Sequence, residues 1–143
     1  MSSTEEAAIR DLIAARASTV NVADLEAMLV PIADDAVVFD VIGGLSITGK
    51  SAAREDAKAW LDLYDGPPRW EDREVTVAAD GDIAFAHALS RVTGHRKDGV
   101  DVDMWFRTTL GMRRIDGEWR IVHDHGSVPF DAESGQASLG LKP

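Results

Sequence analysis

The chain reads as a single α+β domain in which three N-terminal helices pack on a curved antiparallel sheet. Two observations predict this class. Helical spacing is confined to the first half of the chain, and everything after Arg69 has strand character. Three pairs, Asp80-Gly81, Asp98-Gly99 and Asp116-Gly117, interrupt that second half, and Asp-Gly between β-rich runs is a strong hairpin signal. Helices first and a meander after is the order of an α+β protein, not of an alternating α/β one.

The elements follow in order. Ser3-Thr4-Glu5-Glu6 fits a capping box, and Ile9, Leu12, Ile13 and Val20 then keep helical spacing, with Arg16 on the same stripe. Asp24 caps a second short helix with Leu25, Met28, Leu29 and Ile32 on one face; Pro31 weakens its last turn. The β-rich run 36–42 ends at Gly43-Gly44, and Ile47-Thr48 forms a return strand. A third helix begins near Ser51, carries Ala53, Ala57, Trp60, Leu61 and Tyr64 on one face, and stops at Gly66-Pro67-Pro68. Four strands complete the chain, over 69–79, 83–96, 100–115 and 119–128. Strands this long twist and coil, which leaves a concave face for the helices to cover. Residues 3–130 make the domain. The tail, 131–143, is polar and small, and is expected to be mobile or strapped over a neighbouring surface.

The bulk numbers bound the function. The 143 residues suffice for one core. A formal net charge of −10 repels nucleic acid and anionic membranes. No apolar run approaches the roughly 20 residues that cross a bilayer. With no cysteine there is no disulfide, thiolate metal site or Cys nucleophile. The N-terminal residues carry no secretory pattern, so a cytoplasmic location is expected. Neither a dinucleotide fingerprint nor a phosphate-binding loop is present, and no cofactor is expected.

Several blocks together resemble the nuclear transport factor 2-like superfamily, with its cystatin-like fold, its ketosteroid isomerases and its SnoaL-like polyketide cyclases. Asp24-Leu25-Glu26-Ala27 precedes Ala33-Asp34-Asp35-Ala36-Val37, and Gly49 introduces the third helix. Trp105-Phe106-Arg107-Thr108-Thr109 precedes the stretch from Arg113 through Ile115-Asp116-Gly117-Glu118-Trp119 to His123-Asp124-His125-Gly126-Ser127. The resemblance covers Glu6 to Pro129. It implies a cone-shaped fold with a cavity at the wide end, and a homodimer formed through the outer sheet face. It also places Asp40 where the isomerases keep their catalytic base. It departs from them at both oxyanion donors: Arg16 stands in place of the tyrosine, and Leu110 in place of the protonated acid. Ketosteroid isomerase activity itself is therefore not expected.

The residues support chemistry of their own. Asp40 follows the apolar Val37-Val38-Phe39. Half-buried at a cavity mouth it would be a general base or acid; the alternative is a solvent-facing aspartate that caps the Gly43-Gly44 turn. Arg16 would either pair with a carboxylate or hold a substrate carboxylate or enolate, unless its stem lies flat with the head in water. By strand parity His123, His125 and Ser127 share one face, with Trp119 and Ile121 on the histidine side and Asp124 on the other. Trp105, Arg107 and Thr109 share a face of the neighbouring strand. Together they would form a polar, aromatic patch, lining either the pocket or an interface. Trp60 and Tyr64 read as pocket wall or core. A metal site is not expected, since His87 and His95 lie on another strand and would have to converge with these histidines. Ser127 lacks a nucleophile elbow.

These readings leave two functions open. One is a cofactor-free isomerase, cyclase or hydrolase that acts on a small apolar or carbonyl-containing molecule, with Asp40 moving a proton, His123 or His125 returning it, and Arg16 or Arg107 stabilising the charge that develops. The other is a non-catalytic ligand-binding or dimerisation domain.

Overall fold

The computed structural model describes residues 4–143, so Ser3 of the expected capping box lies outside them. Helix α1 (Thr4–Asn21) buries Ile9, Ile13 and Val20 along one stripe. Asp24 caps α2 (Leu25–Leu29) by accepting from the Ala27 N–H at 3.1 Å. The helix was expected to reach Ile32, but it stops at Leu29, and Ile32 opens strand β1 (Ile32–Phe39). Pro31 is the reason: it has no N–H for a helical turn, and its ring collides with the preceding one. Strand β2 (Ile47–Thr48) returns along β1, and α3 (Lys50–Asp62) starts from Gly49 at φ 92°. Tyr64 lies beyond the end of α3 and bridges to Arg96. The remaining strands are β3 (Arg69–Asp80), β4 (Ile83–His95), β5 (Asp101–Ile115) and β6 (Glu118–Ser127).

The six strands form one open, curved sheet in the order β2-β1-β6-β5-β4-β3. Strands β3 to β6 are the expected antiparallel meander. Their turns are not alike. Asp116 and Gly117, at φ 52° and 81°, both adopt the left-handed backbone of a two-residue hairpin loop. In the first hairpin the loop is Gly81-Asp82, with only Gly81 left-handed. The Asp98-Gly99 pair sits in a longer loop. One pairing departs from an all-antiparallel sheet: β1 runs parallel to β6. Most of the chain separates these two strands, so no hairpin dictates their direction.

Three irregularities shift the register, and one of them decides the site. On β6, Ile121 pairs with Met112 while His123 pairs with Gly111, so Val122 is an extra residue. Such a bulge turns over every side chain that follows. Ile121 is therefore fully buried against α1 and the sheet, while His123 points outward. The expectation that Trp119 and Ile121 share a face with the histidines is corrected by this one residue.

The concave face divides into two ends. At one end α1 and α2 press Ile9, Ile13 and Leu29 onto Ala86, Leu110, Met112, Trp119 and Ile121, forming a filled core. At the other end Tyr64, Val92 and Phe106 form a smaller cluster edged by Trp60, Trp70 and Val102. No residue of α3 is fully buried, because the inner side of this helix faces a hollow. Residues Phe130 and Ala137 bridge across a turn held by Asp131, which brings Ala137 and Leu139 to the rim of that hollow.

Candidate functional site

The hollow is a cavity of about 600 Å³ between α3, the end of α1 and the wide end of the sheet. Its walls are mostly apolar. Trp60, Tyr64, Trp70 and Phe106 meet edge to face in sequence, with ring centroids 5.5 Å (Trp60–Tyr64), 6.4 Å (Trp60–Trp70) and 5.2 Å (Trp70–Phe106) apart. Such aromatic contacts stiffen a wall without filling the space before it. Two glycines allow close packing here. A Cβ on Gly94 would stand 2.7 Å from the Tyr64 ring, and one on Gly126 would stand 2.9 Å from the Val41 side chain.

Asp40 lies one residue past β1, on the cavity side. Its Oδ1 accepts from the Val41 N–H at 2.7 Å. The Asp56 carboxyl on α3 lines the same wall and raises the proton affinity of Asp40. The Asp40 proton is held up to about pH 7, against an ordinary 3.8. Burial is the largest cause; the neighbouring Asp56 carboxyl follows, and Asp124 adds to it, while the Val41 N–H opposes. A carboxyl poised near neutrality can both take and return a proton.

Arg16, on α1, donates from its Nη2 to the Asp124 carboxylate on β6. The two side chains are only 18% and 16% exposed, so each neutralises the other away from bulk water. The guanidinium lies 5.6 Å from the centroid of the Trp70 ring. Trp70 in turn donates its Nε1–H to Asp72 at 3.0 Å. The Ser90 hydroxyl donates to the same Asp72 oxygen at 2.6 Å and lies 2.8 Å from the Thr108 hydroxyl. This network fastens the cavity floor to α1.

Arg16, Asp40, Trp60 and Tyr64 line the cavity. The remaining residues singled out from the sequence do not. His123, His125 and Ser127 alternate with Asp124 and Gly126, and it is the latter two that face the cavity. Likewise Trp105, Arg107 and Thr109 alternate with Met104, Phe106 and Thr108, which face inward. On the outer face Arg73 and Arg91 both lie against the Trp105 ring, with guanidinium-to-ring distances of 4.9 and 5.8 Å. Arg107 donates to the Ser127 hydroxyl at 3.1 Å. Thr109 stands between His87 and His125 in register. His123 is tied to the Val37 carbonyl through Nδ1 at 2.7 Å and packs against Phe39, as does His125. The two histidines and Asp40 therefore do not share the cavity, and neither histidine can return its proton there. Among the described residues, no three of His, Asp and Glu gather as a metal ion would require.

Asp56 and Asp124 are the site residues the sequence reading passed over. Asp56 belongs to the stripe that holds Ala53, Ala57 and Trp60, so helical spacing alone could have shown it. Asp124 was visible as the residue opposite the histidines, but its face was not.

This architecture, a helix-covered cone with a carboxyl at its wide end, places the protein among the cone-shaped α+β folds. The chain belongs to the SnoaL-like domain family, whose model matches residues 7–131. It is 37% identical to a protein of known structure from Pseudomonas putida, described as NTF2-like and of unknown function. That match has a TM-score of 0.90 and covers 100% of this chain and 99% of the other. A protein from Novosphingobium aromaticivorans, described as a putative aromatic ring hydroxylase, is 26% identical with a TM-score of 0.78, covering 89% of this chain and 91% of that one. A ketosteroid isomerase-like protein from Erwinia carotovora, 23% identical with a TM-score of 0.75, covers 88% and 97% and shares the fold. No curated protein matches the chain.

Proposed function

We propose that the cavity takes up a small, largely apolar organic molecule, carbonyl-bearing in the simplest case, and that Asp40 moves a proton on it without a cofactor. The reaction classes that fit are isomerisation, cyclisation and hydrolysis by general acid–base catalysis. The observation that carries this reading is a carboxyl with near-neutral proton affinity on the wall of an apolar cavity. Asp56 returns the proton in place of a histidine, since its carboxyl neighbours Asp40 on the cavity wall and acts on its proton affinity. Arg16 is held by Asp124 and acts on charge through that pair.

The test is exchange of α-protons in cyclic ketones, followed by NMR in deuterated water. Exchange catalysed by the protein should rise with pH through about 7 and then level off, because the base form of Asp40 accumulates over that range. Asp40→Asn should lower it by about a hundredfold or more. Catalysed exchange that is unchanged in Asp40→Asn would remove Asp40 as the base. If no ketone exchanges and none raises the melting temperature, the non-catalytic reading stands in its place.

The cytoplasm remains the proposed location. The outer sheet face supports a homodimer: Phe39 and Phe85 are 38% and 52% exposed there, next to the paired rows of Trp105, Arg107, His123 and His125. Sedimentation of the wild type and of Phe85→Glu checks this, with a dimer expected for the first and a monomer for the second.

A further inference from the structure

From the pairing of charges around this cavity we infer that its occupant carries a basic nitrogen, and that the ammonium sits against the Asp40–Asp56 carboxyl pair. The inference deepens the proposed function and rests on its cavity.

Every other charge on the wall already has a partner. Arg16 is held by Asp124. Arg96 donates to Asp98 at 2.7 Å. At the mouth, Asp101 lies 2.6 Å from His95, and Asp103 takes two hydrogen bonds from Arg91, each of 2.9 Å. Among the described residues of this wall, Asp40 and Asp56 alone have no ion-pair partner, and the one hydrogen bond to Asp40 comes from the Val41 N–H. Both arginines of the wall are held by carboxylates, although the Nε of Arg96 is buried without a hydrogen-bond partner, and an anion entering the cavity would also meet the carboxyls of Asp40 and Asp56. A cation would meet the charge it lacks.

The wall around the pair suits the same ligand. Trp60 follows Asp56 by one helical turn, so ring and carboxyl adjoin on the inner side of α3. The rings from Tyr64 to Phe106 line the same cavity, and aromatic walls attract organic cations. An ammonium on the pair also favours ionised Asp40, lowering its proton affinity below that in the empty cavity. The groups that act on Asp40 are Asp56 from α3, Asp124 from β6 and, through Asp124, Arg16 from α1.

Three naphthalene probes of one shape separate the possibilities: naphthylmethylamine, naphthylmethanol and naphthoate, titrated into the full chain by calorimetry. The amine should bind about tenfold or more tightly than the alcohol, the gain of a charge-assisted hydrogen bond. Naphthoate should bind weakest. Affinity for the amine should rise about tenfold from about pH 6 to about pH 8, as Asp40 gives up its proton, while that of the alcohol stays level. Asp40→Asn and Asp56→Asn should each erase the preference for the amine and leave the alcohol bound; either variant suffices, and the pH series needs neither. Equal or tighter binding of the alcohol, with Met104→Trp blocking both, overturns the amine while cavity uptake survives. Failure of all three probes overturns the amine and the uptake together.

Discussion

The two ends of this sheet are made from the same strands and finish in opposite states. At the narrow end Ile9, Met112 and Ile121 are 0%, 1% and 0% exposed, and α1 presses directly on the strands. At the wide end α3 stands off, and about 600 Å³ stays open behind Trp60, Val102 and Phe106. Burial of apolar surface and close packing at the narrow end carry the stability of the domain. The wide end is thereby free to hold groups that cost stability, among them a half-buried carboxyl pair. The contrast explains how one small domain keeps an acid–base site in a folded chain.

The sharpest way to break this contrast is to cut the same kind of side chain at both ends. Ile121→Ala should cost about 4 kcal/mol, because it opens a new void in a packed core. Val102→Ala, beside space that already exists, should cost about 1 kcal/mol or less, since few contacts are lost. Urea denaturation of both variants measures the difference, and equal losses would mean that the wide end is as tightly filled as the narrow one.

A smaller effect tests the bond between the ends. Arg16→Met should cost about 3 kcal/mol, because it leaves Asp124 charged and unpaired in a poorly solvated place. Adding Asp124→Leu to that variant should recover most of the loss, as neither charge then needs a partner. Thermal or chemical denaturation of the single and double variants closes the cycle; no recovery in the double variant would show that the pair does not act as a unit.

The smallest effect has the opposite sign. Asp40 is protonated in the folded chain up to about pH 7, while in the unfolded chain it ionises near 3.8. Rising pH therefore favours the unfolded state between these values, and the penalty is complete above about pH 7. Asp40→Asn should stabilise the protein above that pH by on the order of 2 kcal/mol, allowing for solvent screening at this partly exposed carboxyl, and by nothing near pH 4. Melting curves across pH check it. A variant less stable than wild type at pH 8 would mean that Asp40 serves the fold and not the site.

The legible and illegible parts of the site separate along physical lines. Asp40 could be picked out because a carboxylate after Val37-Val38-Phe39 is locally costly, and Arg16 because it interrupts an apolar stripe. Trp60 followed from helical spacing, whereas Tyr64, on the same expected stripe, lies past the end of α3 and reaches the cavity through its bridge to Arg96. The face of β5 and β6 stayed open between pocket and interface because alternation defines two faces without saying which is concave. Trp105, Arg107 and Thr109 were grouped rightly with one another, on the side that turned out to face outward. Val122 compounded the problem: a bulge adds a residue that looks locally like any other strand residue, yet it reverses the parity that links Ile121 to His123 and His125.

The sequence by itself determined the class of this fold, the order of its elements, the Asp116-Gly117 hairpin and the stop of α2 before Pro31, because each of these depends on backbone preferences within a few residues. Only the tertiary structure decided that β1 joins β6 in parallel, that α3 hangs over a hollow, and that Asp40 meets Asp56 while Arg16 meets Asp124. Those outcomes depend on contacts between elements far apart in the chain, where the energy of each pairing is set by what else is buried beside it.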